Sequence, residues 1–347
     1  MASERYKYQK HLDNGSYGSV ALYSDIFLDR NVAVKTINTS TADDIDSILE
    51  EVKLLKSVYS KHVVNLYDVV HTPTSIDIYQ EYLSGEDLVN KSGKCSKAEI
   101  LSLGYQLAFG LSDIHKSGIC HRDIKLENAK FDAQGVLKIF DFGVSREGDP
   151  HQTQNGFGTL EYRAPEIYKL HSEQSVTVSF AADIFSYGVT MHKLAFGGAC
   201  NFSGYVPKVP QSAPLFAHLG LSVTLTQLLT KTLSYNPEDR PTAEELTYHL
   251  GREITQGWHT GSFVTSSGTH FVNSANPTAR LKSQSNQAIT IYYNGFDFVV
   301  QEVEGDVYLN NQSAKPGNIL HQACVVTFDG EQRSFVSFSS SHPEIVL

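Results

Sequence analysis

The sequence predicts an α+β chain with a strand-rich start, a long helical middle and a small all-β domain at its end. Three observations carry that expectation. Short apolar runs broken by glycines fill residues 5 to 38. Between 97 and 250, apolar residues recur at helical spacing. Beyond Thr255 strict alternation takes over, with Asn-Gly and Asp-Gly pairs between the runs.

The elements follow in order. Asp43 to Ser57 reads as a helix with Ile45, Ile48, Val52 and Leu55 on one face, and Ile76 to Tyr82 reads as a strand. Lys97 to Lys116 is a second helix, carried by Ile100, Leu103, Leu107, Leu111 and Ile114. A more apolar helix runs from Phe180 to Phe196, and helical periodicity persists through Leu221–Leu233 and Ala243–Leu250. In the tail, Ile289, Ile291 and Tyr293 alternate up to Asn294-Gly295, and Phe296, Phe298 and Val300 alternate after it, which predicts a hairpin. Asp329-Gly330 sits similarly between Val325–Phe328 and Phe335–Phe338. The expected organisation is a body over 1–255, a linker over 256–268 and a small β-domain over 269–347.

Composition bounds the function. The 347 residues are 41% hydrophobic and 19% charged, enough apolar content for two or three cores and against wholesale disorder. A net charge of −10 disfavours nucleic acid and anionic membrane as partners. No apolar run approaches the ~18 residues a membrane span needs, and the polar start Met-Ala-Ser-Glu-Arg-Tyr-Lys-Tyr lacks a signal-peptide core. Cys95, Cys120, Cys200 and Cys324 are widely spaced and are expected to be reduced thiols. A cytoplasmic setting follows as an expectation.

Four strings carry the chemistry. His121-Arg122-Asp123-Ile124-Lys125-Leu126-Glu127-Asn128 precedes Asp141-Phe142-Gly143, with Val32-Ala33-Val34-Lys35 upstream and Ala164-Pro165-Glu166 downstream. In that order and at those separations they resemble the protein kinase family. The resemblance, which spans residues 5 to about 252, implies a bilobal kinase fold with a β-rich N-lobe over about 5–82 and a helical C-lobe over about 83–255. The activity it implies is transfer of the ATP γ-phosphate to a protein hydroxyl, with magnesium.

Roles then attach to residues by that resemblance. The glycine turn, with Leu12, Gly15, Gly18 and Val20, would lie over the phosphates, and Ala33 would bound the nucleotide. Lys35 would grip the α- and β-phosphates and be held by Glu51. Glu81 and Leu83 would present the hinge backbone to the adenine edge, with Gln80 as gatekeeper and Asp87 on the ribose. Asp123 would be the catalytic base, Lys125 would steady the transferring group, and Asn128 and Asp141 would hold Mg2+. His121 would pack under Phe142, forming an apolar stack with Leu55 and Leu66. Lys125 resembles the serine/threonine branch. Arg122, Arg146, Thr153, Ser145 and Thr159 fall in the regulatory and substrate-positioning places, Thr153 being the preferred phosphate acceptor. Asp183 would hold the catalytic loop backbone, and Glu166 would pair with Arg240.

Two departures keep a second reading open. Asp13 stands where the family's first glycine is expected, and Lys130 lies where an apolar residue usually floors the adenine. A scaffold that retains the fold but phosphorylates poorly is the alternative. In the tail, Gly305-Asp306-Val307-Tyr308-Leu309-Asn310-Asn311 and Pro316-Gly317 faintly resemble the end of a forkhead-associated domain, with Asn311 where glycine is expected. The tail is accordingly expected to be an interaction domain, for a phosphoprotein or for self-association.

Overall fold

The computed structural model describes residues 5–15, 18–39, 42–72, 74–142, 160–169, 179–198, 216–266, 268–321, 323–330, 333–341 and 343–345. Two compact units divide the chain, Met1–Leu250 and Gly251–Leu347.

The first unit begins with a five-stranded antiparallel sheet. Its strands are β1 (Tyr6–Gly15), β2 (Gly18–Asp25), β3 (Arg30–Asn38), β4 (Leu66–His71) and β5 (Ser75–Glu81), in the order β1-β2-β3-β5-β4. Helix α1 (Ala42–Lys56) interrupts the strands after β3, with Ile48 and Val52 buried as its apolar spacing predicts. Gly18 must be glycine, because a Cβ there would overlap the carbonyl oxygen of Thr36 across the β2–β3 ladder.

The helical part is built on α2 (Lys97–Lys116) and α4 (Phe180–Phe196), with the short α3 (Pro165–Lys169) between them in sequence. Both long helices have the limits the periodicity predicts. Ser96 starts α2 through a capping box in which Glu99 N donates to Ser96 Oγ and Ser96 N donates to Glu99 Oε2 (3.0 Å). Such a cap stabilises a helix by about 1 kcal/mol. Ile100, Leu103, Leu107, Leu111 and Ile114 are all buried. Tyr187 of α4 donates its hydroxyl to Gly104 O (3.1 Å), and glycine there lets the two helices approach. Helices α5 (Val223–Thr232) and α6 (Ala243–Ile254) complete the order. Between α2 and α4 runs a two-stranded ladder, β6 (Ala129–Phe131) with β7 (Leu137–Ile139), which carries the site.

The second unit is two antiparallel sheets. β8 (Gly261–Thr265), β9 (Gly268–Val272), β13 (Val307–Leu309), β14 (Gln312–Ser313), β16 (Ala323–Phe328) and β17 (Ser334–Ser340) form one, in the order β14-β13-β16-β17-β8-β9. The other is β10 (Thr278–Lys282), β11 (Ala288–Tyr293), β12 (Phe298–Glu304) and β15 (Ile319–Leu320). Phe263, Ile289, Ile291, Val300, Val326 and Phe338 are among the residues enclosed in its core.

Two expectations are corrected here. The segment 256–268, expected as a linker, contains β8, which pairs with β17 from Gly261↔Ser340 to Val264↔Ser337. The β-structure therefore starts before residue 269. The hairpin at Asn294-Gly295 closes at Tyr293↔Phe298, so its loop holds four residues rather than two. Asn294 is the cause: its Oδ1 accepts from Phe296 N (2.9 Å) and Asp297 N (2.8 Å), which favours the longer turn. Asn311, standing where glycine was expected, has a left-handed backbone (φ 67°), a conformation asparagine tolerates best among side-chain-bearing residues.

Among the described residues no helix is long and apolar enough to cross a membrane. Cys95, Cys120 and Cys324 form no disulfide. Burial pushes the Cys120 thiol up to about 12 and that of Cys324 to about 11, so both stay protonated at neutral pH. Cys200 lies outside the described residues.

Candidate active site

The site assembles where β6 and β7 pair. Phe140 N donates to Asn128 O (3.0 Å), which sets the end of the Asp123–Asn128 loop beside the segment that carries Asp141. His121 reinforces the join. It is fully buried, its Nε2 lies 3.1 Å from Phe140 O, and its ring packs 4.7 Å from that of Phe142. Burial holds its pKa below the ordinary histidine value, against the pull of Asp183, Asp123 and Asp141. A neutral, enclosed imidazole is the structural role expected of it. Phe142, Leu55 and Leu66 of the expected apolar stack line one cavity together with Lys35, Val52, Ile78, Gln80 and Asp141.

Asp183 fixes the loop from below. Its carboxylate accepts from His121 N and Arg122 N, both at 2.7 Å, while His115 Nε2 lies 3.0 Å from it. Arg122 and Asp141 both take left-handed backbone angles, φ 70° and 61°, unfavourable for residues with side chains. The Asp183 clamp offsets that cost at Arg122.

Within the loop, Asp123 Oδ2 accepts from Lys125 Nζ (2.7 Å) and Asn128 Nδ2 (2.9 Å). Burial raises the Asp123 pKa, but the Lys125 hydrogen bond and charge, aided by His121 and Asn128, outweigh it and hold the carboxyl below its usual range. Asp123 is therefore ionised at neutral pH and able to receive a proton. Lys35 enters from β3, and its Nζ lies 2.5 Å from Asp141 Oδ1. The side chain of Glu51, its expected partner, lies outside the described residues, although its backbone is in α1.

The residues expected to edge a nucleotide lie on β1, β2 and β3 and at and after the end of β5. Val20 stands opposite Lys35 and Leu22 opposite Ala33 across the β2–β3 ladder. Leu12, Asp13 and Gly15 lie on β1, where Asp13 faces Val20 in register and is exposed. Glu81 ends β5, Leu83 follows it buried, and Asp87 accepts from Val89 N (3.0 Å). Lys130 is half-buried in β6, opposite Lys138 and bridged to Asp87 through the backbone. Ser145, Arg146, Thr153 and Thr159 lie outside the described residues.

Asn128 and Asp141 suit magnesium by their chemistry. Both offer hard oxygen donors, and two protein ligands leave the rest of an octahedral shell to phosphate and water. Asp141 keeps 44% of its side chain exposed, as a ligand shared with a bound nucleotide requires. No cluster of three or more His, Cys, Asp or Glu residues offers a competing metal cage among the described residues.

Farther out, Arg240 forks onto Glu166, Nη1 to Oε1 at 2.7 Å and Nη2 to Oε2 at 2.8 Å, and also donates to the carbonyls of Ser234, Tyr235 and Ala181. A family model described as the protein kinase domain matches residues 6–250. The chain belongs to the protein kinase family.

This kinase is 31% identical over 264 residues to CBL-interacting serine/threonine-protein kinase 8 of Arabidopsis thaliana, covering 70% of this chain and 56% of that one. It is 30% identical over 261 residues to serine/threonine-protein kinase ppk11 of Schizosaccharomyces pombe, covering 72% and 82%. Serine/threonine-protein kinase SAPK2 of Oryza sativa subsp. indica is 31% identical over 261 residues, covering 71% and 76%. Sequence reasoning missed Asn65, His115 and Lys138, which support the site. No motif names them, because their partners lie 16 to 68 residues away in the chain.

Proposed function

We propose that this kinase transfers the γ-phosphate of ATP to serine or threonine hydroxyls of protein substrates, itself included. The observation that carries the reading is the convergence of Lys35, from the upper sheet, on Asp141, beside an Asp123 carboxylate held ionised by Lys125 and Asn128. In the proposed reaction, Asp123 receives the hydroxyl proton as that oxygen attacks the γ-phosphorus, the bond to the β–γ bridging oxygen breaks to release ADP, and Lys125 offsets charge growing on the transferring group. Lys35 releases Asp141 and turns to the α- and β-phosphates. Magnesium, held by Asn128 and Asp141, would neutralise phosphate charge. Adenine would be read by the backbone of Glu81 and Leu83, between Ala33 and the stem of Lys130.

Lys125 and the relatives' names support the serine/threonine branch. Thr153 and Ser145 are the proposed sites of regulatory phosphorylation, read by Arg122 and Arg146. The β-rich unit, with a core of its own, is proposed as an interaction module of forkhead-associated type, for a phosphoprotein or a second copy.

The test is phosphate transfer from radiolabelled ATP to a mixed peptide library, comparing wild type with Asp123→Ala. Loss of about 10²–10⁴-fold in kcat is expected, with labelled serine and threonine in the wild-type products. Equal incorporation by both proteins would overturn the mechanism, and no incorporation by either would favour the scaffold alternative.

A further inference from the structure

The two sheets of the β-rich unit present different outer faces. On the four-stranded sheet, Arg280 of β10 bridges Glu302 and Glu304 of β12 across β11, the paired charges of a surface kept in water. The six-stranded sheet turns alternate residues inward, among them Phe263, Val326, Val336 and Phe338, and the others outward. None of those outward positions is Asp, Glu, Lys or Arg. Val325, Ser337, Val264 and Thr269 stand abreast across β16, β17, β8 and β9, with Ala323, Ser339, Ser262 and Phe271 in the next row. Phe335 stands on the other side of the first row, beside Thr327. Val264, Phe271, Val325 and Phe335 are 39 to 61% exposed.

Single exposed apolar side chains are ordinary, but four on one charge-free sheet mark a surface that meets another. What covers it follows from what it can bond. A phosphopeptide brings about −1.5 to −2 charge and needs arginine or lysine, and the face offers neither. An acidic or basic partner would bury its charge against neutral groups. A second copy brings only apolar side chains and hydroxyls. A hydroxyl both donates and accepts, so rows of serine and threonine can bond to copies of themselves, which rows of lysine or glutamate cannot. Ser262 Oγ and Ser339 Oγ pair in this way at 2.8 Å within one face. The chain carries a net charge of −10, so two copies approach most easily where neither is charged. The size suffices as well. Six strands about 4.8 Å apart and about five residues long cover roughly 450 Å². Two such faces bury on the order of 1,000 Å², the lower limit for a specific contact.

We propose that the outer face of the six-stranded sheet is a dimer interface, its occupant the same face of a second copy packed sheet on sheet. This rests on the reading of the β-rich unit as an interaction module and chooses its partner. The contact is isologous, each copy offering the same patch, with the two sheets about 10 Å apart. Phe271 and Phe335 project on opposite sides of the Val325–Thr269 row, so the rings of one copy seat against the serines and Ala323 of the other. At this area the dimer forms and parts reversibly, with a dissociation constant on the order of micromolar. Pairing carries two catalytic units into one particle and raises the effective concentration of each for the other's acceptor hydroxyls.

Sedimentation of the full chain from about 1 to 100 μM tests the dimer, and wild type should pass from monomer to dimer within that range. Val264→Lys puts a charge near the centre of each face and should weaken association at least about 100-fold. Thr278→Lys, on the charged face of the other sheet, should change it by no more than about twofold. Hydroxyl-radical labelling gives a readout without substitution. On concentrating the wild type, labelling of Phe271 and Phe335 should fall, while that of Tyr292, exposed on β11, should not. This measurement carries the test should Val264→Lys fail to fold. Wild type that stays monomeric at about 100 μM overturns the proposal. So does a dimer that survives Val264→Lys or leaves Phe271 and Phe335 labelled as before. A phosphothreonine peptide array separates the two readings. A monomer that binds such peptides sinks the second copy and keeps the interaction module, whereas a monomer that binds none sinks both.

Discussion

Buried polarity separates the two units of this kinase. In the first unit, His62, His121, Asn128, Lys138, Asp183 and Arg240 are all enclosed, and each has a named partner. In the β-rich unit the enclosed residues are overwhelmingly apolar. The enclosed polar residues described there are Glu253, Thr255, Gln287, Thr290 and Thr327, and Gln287 serves as a loop tie: Nε2 donates to Asp306 O (3.2 Å) and Asp329 O. One region is held by paired charges that must all be present, the other by area removed from water. A substitution should therefore fail differently in each.

The largest effect is expected where a charge is left alone. Arg240→Met removes a fully buried guanidinium and strands the Glu166 carboxylate, so unfolding of the catalytic body should be easier by about 3–5 kcal/mol. Replacing both partners with apolar residues should recover much of that. Chemical denaturation of the single and double variants checks it, and a double variant as poor as the single one would remove the pairing argument. In the β-rich unit, Ile291→Ala should cost about 2–5 kcal/mol through a cavity, with no second substitution to rescue it by charge.

These same two physical modes decide what could be read in advance. The α2 and α4 limits were legible because their buried stripes run the full length of each helix and Ser96 marks a start. Asp123 and Asn128 could be expected together because they sit five residues apart in one motif, and the structure joins them through Asn128 Nδ2 and Asp123 Oδ2. Lys138, by contrast, looks like any strand lysine, and only folding reveals that it faces Glu81, 57 residues away. The strand β8 was hidden for another reason. Gly261 opens it, since a Cβ there would press on Phe338 and Phe298, and a glycine in sequence suggests a loop. The hairpin loop at 294–297 escaped because an asparagine side chain, not the Asn-Gly backbone preference, sets its length.

A pH titration sharpens the comparison next. His62 is buried beside β7, and burial, partly countered by its bond to Leu137 O, lowers its pKa to about 4. The unfolded chain takes up the proton near pH 6.5, so between those values it binds more protons than the folded one. Stability is then fully present above about pH 6.5 and is lost as pH falls, by about 3 kcal/mol once pH 4 is reached. His62→Asn, which keeps a donor for Leu137 O, should flatten that slope. Denaturant midpoints measured from pH 7 to pH 4 report the outcome, and an unchanged slope in the variant would assign the acid sensitivity elsewhere. The β-rich unit has no comparably buried histidine among its described residues, so its own transition should depend less on pH in this range.

The smallest effect concerns the backbone alone. Asn311 holds φ 67° between β13 and β14, while the neighbouring Asn310 binds Val325 through both its backbone N–H and its side-chain oxygen. Because Asn310 carries the bonding, position 311 contributes mainly by tolerating the left-handed turn. Asn311→Gly should consequently change stability by no more than a few tenths of a kcal/mol. Asn311→Val, whose branched Cβ opposes that conformation, should cost about 1–2 kcal/mol. Thermal melting of the pair measures the difference. Equal melting temperatures for glycine and valine would mean that the turn relaxes away from the left-handed region, and that the apolar core alone sets the register of β13.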